Sequence, residues 1–200
     1  MKEILTIFDD LLTPIGEKER QQVHIEGEWH ETFQCWFFEQ QNDQTYIYFQ
    51  KRAKDKSAFP SLYDITAAGH IEAGERKEAA GLREIQEELG IQVSEQDLEY
   101  TGFYKEELTL QGMIDREICH IYLYEYSLDT PFVIGDEVED VVKVSLDDFL
   151  SVLSKKHSDM PAASILTGEE KLIVKKDLVP HDFYYYQRVI QSVQKLTPFI

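Results

Sequence analysis

At 200 residues, of which 42% are hydrophobic and 12% aromatic, the chain can bury one substantial core, and its length favours one domain over two. A formal net charge of −18 repels polyanions and argues against a protein that grips a nucleic-acid polymer by its backbone. The apolar run at the N-terminus is too short before its acids for a signal peptide, and no later stretch reaches membrane-spanning length, so the expectation is a cytoplasmic protein with no membrane partner.

In chain order, residues 4–8 read as a short strand, and Thr13-Pro14-Ile15-Gly16 supplies turn chemistry before a polar, charged run to Gln22 that reads as a lead-in. Aromatic-rich segments at 33–38 and 46–50, separated by Gln41-Asn42-Asp43-Gln44, predict a hairpin. A loop with Pro60 leads to residues 63–68, a helix is expected over 75–89, and strands are expected near 98–104, 118–126 and 141–144. Cys35 and Cys119 lie in apolar, strand-like segments without paired metal-ligand spacing and read as buried free thiols. Ser145 is placed to cap a helix through Leu153, and Asp182 to cap another whose Tyr186, Val189, Ile190 and Val193 form a packing face. The class is mixed α/β. A main domain is expected over 1–150, with a helical extension packed on it over 151–200, and nothing in the sequence opposes a homodimer.

The segment that carries chemistry begins at Gly69-His70-Ile71-Glu72-Ala73-Gly74-Glu75 and ends, after seven residues, at Arg83-Glu84-Ile85-Gln86-Glu87-Glu88-Leu89-Gly90-Ile91. At about 100° per residue, Glu84, Glu87 and Glu88 fall in one narrow helical sector, while Leu82, Ile85 and Leu89 cluster on the opposite side. Three carboxylates on one edge repel one another. A hard divalent cation reverses that penalty, because Mg²⁺ prefers oxygen ligands and is commonly held by one or two carboxylates together with substrate phosphates. Glycines at 69, 74 and 90 suit the turns into and out of the helix, and Arg83 is placed to pair with Glu75 and fix the loop against it.

This stretch resembles, position for position, the signature of the Nudix hydrolases. At usages of about 7% for its seven fixed positions and about a third for its two apolar ones, a chance match is on the order of one in a billion per starting point, which sets aside a merely solvated acidic face. The resemblance implies a Nudix fold, a mixed sheet sandwiched between helices. It implies Mg²⁺ or Mn²⁺ on Glu84, Glu87 and Glu88, and hydrolysis of a small diphosphate-containing substrate with Glu87 or Glu88 as general base.

A second resemblance, to isopentenyl-diphosphate isomerases, which share that fold, covers about residues 4–150. The segment from His24 to Phe33 looks like the one that carries their two metal-binding histidines, here His24 and His30. Arg52 and Lys56 match their diphosphate-contacting bases, and Asp115 to Cys119 resembles the strand bearing a metal-binding acid, Asp115, and the catalytic glutamate, Glu117. Two departures argue against isomerase chemistry: Ala68 stands where the catalytic cysteine would, and the Nudix signature is intact. The chain is most similar to the isomerase-like Nudix hydrolases. An isomerase, and a catalytically silent nucleotide-binding Nudix domain, are the alternatives.

Overall fold

The computed structural model describes residues 2–110 and 113–198. Strands β1 (Ile4–Phe8) and β2 (Pro14–Glu19) form an antiparallel hairpin, followed by the short helix α1 (Arg20–Glu26). The run expected to be a lead-in is therefore ordered structure. Its period is silent in the sequence because β2 is an edge strand with almost every residue exposed, and α1 buries only Val23.

The centre of the fold is β3 (Trp29–Gln41). It turns through Asn42 and Asp43, both at positive φ (50° and 61°), into β4 (Gln44–Arg52), as a two-residue hairpin loop requires. Two short strands follow, β5 (Tyr63–Asp64) and β6 (Ala67–His70), where the sequence suggests one element. Helix α2 (Lys77–Leu89) starts two residues later than expected. Strands β7 (Leu98–Leu110) and β8 (Met113–Glu125) are longer than their periodic cores and pair with each other. One edge of β3 runs parallel to β8, and the other is shared in turn by β1, β6 and β4.

Beyond residue 125 come β9 (Val138–Ser145), α3 (Leu146–Leu153), β10 (Asp159–Ser164), β11 (Glu170–Val174) and α4 (Phe183–Leu196). The segment after 150 is thus not simply helical, since β10 and β11 extend the sheet on β9 before α4 packs back. Asp182 caps α4 by accepting from the Tyr184 amide (2.6 Å). Ser145 makes no such bond; it ends β9 opposite Tyr46, and its hydroxyl accepts from Gln44 instead (3.1 Å).

Strand alternation sorts the core onto the two faces of an open sheet. Trp36, Phe38, Ile47, Phe49, Cys119 and Ile121 pack with α3 and α4. Phe33, Cys35, Phe37 and Tyr48 pack with Ala80, Ile85 and Leu89 of α2. The result is an α/β/α sandwich. Each fully buried aromatic or aliphatic side chain contributes roughly 1.5–3 kcal/mol. Contact with α2 is tight: a Cβ at Gly81 would lie 2.1 Å from the Phe33 ring. No described helix is long and apolar enough to cross a membrane.

Candidate functional site

Two polar clusters meet at β6. The first is the edge of α2. Glu88 is 3% exposed and accepts hydrogen bonds from the Ala68 amide (3.0 Å) and from Gln50 Nε2 (3.1 Å). Burial pushes its carboxyl up to about 8. Glu84 presses on the next residue of β6, so closely that a Cβ at Gly69 would lie 2.1 Å from Glu84 Cδ. Burial raises Glu84 to about 7, against the pull of Arg83. Glu87 stands in solvent, with its side chain 61% exposed.

Arg83 ties this edge to the loop before it. Its Nη2 donates to Glu75 (3.2 Å) and to the His70 carbonyl (3.3 Å), and its Nη1 to Glu84 (2.7 Å). Gly90 closes α2 at φ 67°, a conformation that glycine adopts without steric cost. Among the described residues, Glu84, Glu87 and Glu88 do not bring three ligand atoms within 4.8 Å of one another. Two other sets do: His24, His30 and His70, and His30, Asp115 and Glu117.

That second cluster is assembled from α1, β3, β6 and β8. The three imidazole rings lie 5.0–5.2 Å apart, centroid to centroid, and the Nε2 atoms of His24 and His70 are 3.3 Å apart. Asp115 Oδ1 sits 3.5 Å from His24 Nε2 and 3.6 Å from His30 Nε2. His30 Nδ1 lies 3.0 Å from the Glu28 carbonyl, to which it can only donate, so in the neutral ring Nε2 carries the lone pair. Burial lowers His30 despite Asp115, and lowers His70 well below the usual range, which keeps both rings in the form that ligates metal.

Both His30 Nε2 and Asp115 Oδ1 are buried without a hydrogen-bond partner among the described residues. Two acceptors that face each other in a buried site need a cation or a proton between them, and an imidazole–carboxylate set suits a divalent transition metal. Glu117 completes the group. Burial, then Asp115, raises it to about 8, and it accepts from Thr32 Oγ1 (3.1 Å) and Gln34 Nε2 (2.9 Å).

Of the bases singled out in the sequence, Arg52 Nη1 donates to Asp64 (2.8 Å) and Lys56 pairs with Glu137. Both are therefore engaged with acids of the chain itself. The sequence reading missed His70 as a member of the imidazole cluster, although it stands beside Gly69 inside the motif. It also missed Asp64, Glu106 and His181, which meet in the interior. His181 is 117 residues from Asp64, and no local pattern links them.

Comparison with known proteins adds the following. A family model for the NUDIX domain matches residues 22–164. An uncharacterized Nudix hydrolase of Clostridium acetobutylicum is 37% identical over 201 aligned residues, covering 96% of this chain and 97% of its own. An isopentenyl-diphosphate delta-isomerase of Paenarthrobacter aurescens is 30% identical over 60% of this chain and 65% of its own length. A crystal structure from Deinococcus radiodurans matches with a TM-score of 0.58 at 18% identity, covering 76% of this chain and 90% of that one, a likeness of fold.

Proposed function

The chain belongs to the Nudix hydrolase family, and from that premise we propose that it cleaves a phosphoanhydride bond in a small diphosphate-containing substrate, a nucleoside diphosphate derivative or a related organic pyrophosphate. The observation that carries this reading is the enclosure of Glu84 and Glu88 against β6, where burial raises both and no described base forms an ion pair with Glu88. A buried carboxylate without a counter-charge is costly, and a divalent cation removes that cost.

In this mechanism Glu84, Glu87 and Glu88 would hold Mg²⁺ or Mn²⁺, with Glu87 turned in from solvent. His24, His30 and Asp115, joined by His70 and Glu117, would form a second metal-binding or substrate-binding set. When bound, the metal supplies charge neutralisation and Lewis acidity at the bridging phosphates. The chain's own groups do the rest. Arg52 and Lys56 attract and orient the diphosphate, Arg83 fixes the loop through Glu75, and Glu87 or Glu88 takes the proton of the attacking water.

The histidine–acid cluster with Glu117 is the specific observation that favours a second reading, isomerisation of isopentenyl diphosphate. That reaction needs one group to protonate carbon and another to remove a proton, and the methyl side chain of Ala68 can do neither. The test is a panel of diphosphates, isopentenyl diphosphate among them, incubated with Mg²⁺ and followed for released phosphate and for the allylic isomer. Metal-dependent phosphate release without isomer is the expected result. Isomer formed at enzymatic rates would replace this reading with the second, and saturable nucleotide binding without turnover would point to a silent binding domain.

A further inference from the structure

The segment between β11 and α4 lies outside the residues matched by the family model, yet it reaches the interior beside the candidate diphosphate site. Leu178 bridges Tyr63 in parallel, and the Val179 amide donates to the Tyr63 carbonyl (2.9 Å), so the segment runs alongside β5. This delivers His181 between two carboxylates: Nε2 lies 2.9 Å from Asp64 Oδ1, and Nδ1 lies 2.6 Å from Glu106 Oε2. The three side chains are 4%, 8% and 3% exposed, and the Tyr185 ring stacks on the imidazole at 4.8 Å. A neutral imidazole has one N–H, and a ring facing an ionised acceptor on each side needs two, so the geometry calls for imidazolium.

Asp64 is also the partner of Arg52. Its Oδ2 accepts from Arg52 Nη1, and its Oδ1 accepts from the Ile65 amide (2.8 Å) as well as from His181. Arg52 Nε donates to the Ala58 carbonyl (3.1 Å), and Nη2 makes no hydrogen bond with a described residue. Two acids and two cations thus form one neutral row, Glu106, His181, Asp64, Arg52, buried except at Arg52, whose side chain is 17% exposed. Because Asp64 divides its charge between His181 and Arg52, the guanidinium is held in place without being fully neutralised. An anion approaching Nη2 still meets positive charge. If Asp64 had Arg52 as its sole cation, it would draw the guanidinium inward and cancel that charge.

We infer that His181 is a positioning residue that acts through Asp64 to orient Arg52 and keep it electropositive toward a diphosphate, which makes the C-terminal segment part of the substrate site. The orienting role rests on the hydrogen bonds above, and the diphosphate rests on the function proposed for Arg52. Two readouts separate them. The first needs no ligand: in the proton–nitrogen spectrum of the full chain, the Arg52 Nε–H resonance, identified by its loss in Arg52→Lys, is expected to exchange with water at least about tenfold faster in His181→Gln, because a guanidinium that loses its anchor opens more often. The second is the affinity for methylenediphosphonate with Mg²⁺, measured by calorimetry. His181→Gln is expected to weaken it roughly 3- to 10-fold, and in an Arg52→Ala background to change it by less than about twofold, as coupled residues do in a mutant cycle.

Unchanged Arg52 protection in folded His181→Gln overturns the inference, and so does an equal loss of affinity with and without Arg52. If Arg52→Ala alone leaves affinity unaltered, Arg52 does not bind the diphosphate, and the exchange rate alone decides whether His181 positions it. Should His181→Gln fail to fold, Asp64→Asn reports on the same link. Loss of Arg52 protection in that variant supports the link, and retention overturns it.

Discussion

Glu84, Glu87 and Glu88 of α2 come from five consecutive positions, whereas the imidazoles and acids gathered around His70 come from four elements between His24 and Glu117. Their bonding also differs. Glu88 and Glu84 are held by donors of the chain itself, the Ala68 amide, Gln50 and Arg83. His30 Nε2 and Asp115 Oδ1 are buried with no hydrogen-bond partner among the described residues. A cation arriving at the helix edge must compete with hydrogen bonds already made, while one arriving at the imidazole cluster satisfies atoms that have no hydrogen-bond partner among the described residues. The two clusters should therefore differ in what holds them together and in what each loses when a residue is changed.

The largest effect expected is on turnover at the helix edge. Glu88→Gln keeps an oxygen for the Ala68 amide but removes the charge, and should lower the rate of phosphate release by about 10² or more with the melting temperature little changed. Full activity in the folded variant would remove α2 from the chemistry and leave the imidazole cluster as the working centre.

A smaller effect is expected at the other cluster, and it is read without any substrate. His30→Ala should lose one tightly bound transition-metal ion per chain, with affinity at that site weakened at least about tenfold, while Mg²⁺ binding at α2 changes little. Metal stoichiometry after dialysis, measured by elemental analysis, checks this. An unchanged count would mean that the orphaned atoms of His30 and Asp115 are satisfied by a proton instead.

The smallest effect expected is on stability and comes from the buried row behind the site. Burial opposes the charge on His181, but Glu106 and Asp64 outweigh it and raise the imidazole to about 10. Burial likewise opposes the charge on Asp64, but His181 and Arg52 hold it down at about 2. A group raised on folding contributes stability that is complete below its unfolded value, ~6.5, and is lost as pH rises through its folded value. Urea titrations should show unfolding free energy falling steadily between pH 7 and pH 10. The depressed Asp64 predicts a second loss only as the pH falls toward 2. In His181→Gln the alkaline loss should flatten, and an alkaline limb of the same depth in that variant would show that His181 is not its source.

What the sequence made readable follows the same division. The α2 edge was legible because a helix converts local spacing into a shared face, so Glu84, Glu87 and Glu88 could be grouped from angular arithmetic. Even so, that arithmetic could not tell that Glu88 would be enclosed under β6 and Glu87 left in solvent, since burial depends on the strand laid across them. His24, His30, Asp115 and Glu117 entered only through a resemblance, because residues brought together by parallel pairing of β3 and β8 share no local period. His70 was visible as a residue but not as a partner, since its place beside His24 depends on the antiparallel register that sets it opposite Thr32. Strand β2 and helix α1 gave no signal because edge elements need not alternate, and His181 had none because its two acidic partners, Asp64 and Glu106, lie far away in sequence.

The four residues of β6 have a consequence for descent. Ala68 and Gly69 serve the glutamate edge, His70 serves the imidazoles, and all are pinned to β3 by a register that runs from Thr32 opposite His70 to Cys35 opposite Ala67. Adding or deleting one residue within a strand turns every following side chain to the other face. Here such a change would withdraw His70 from one centre and push a side chain into the gap that Gly69 leaves for Glu84 in the other. Both centres would be lost in a single event, with no intermediate that keeps one of them. Inherited length variation should accordingly fall outside β6 and outside the motif loop that Arg83 ties to it.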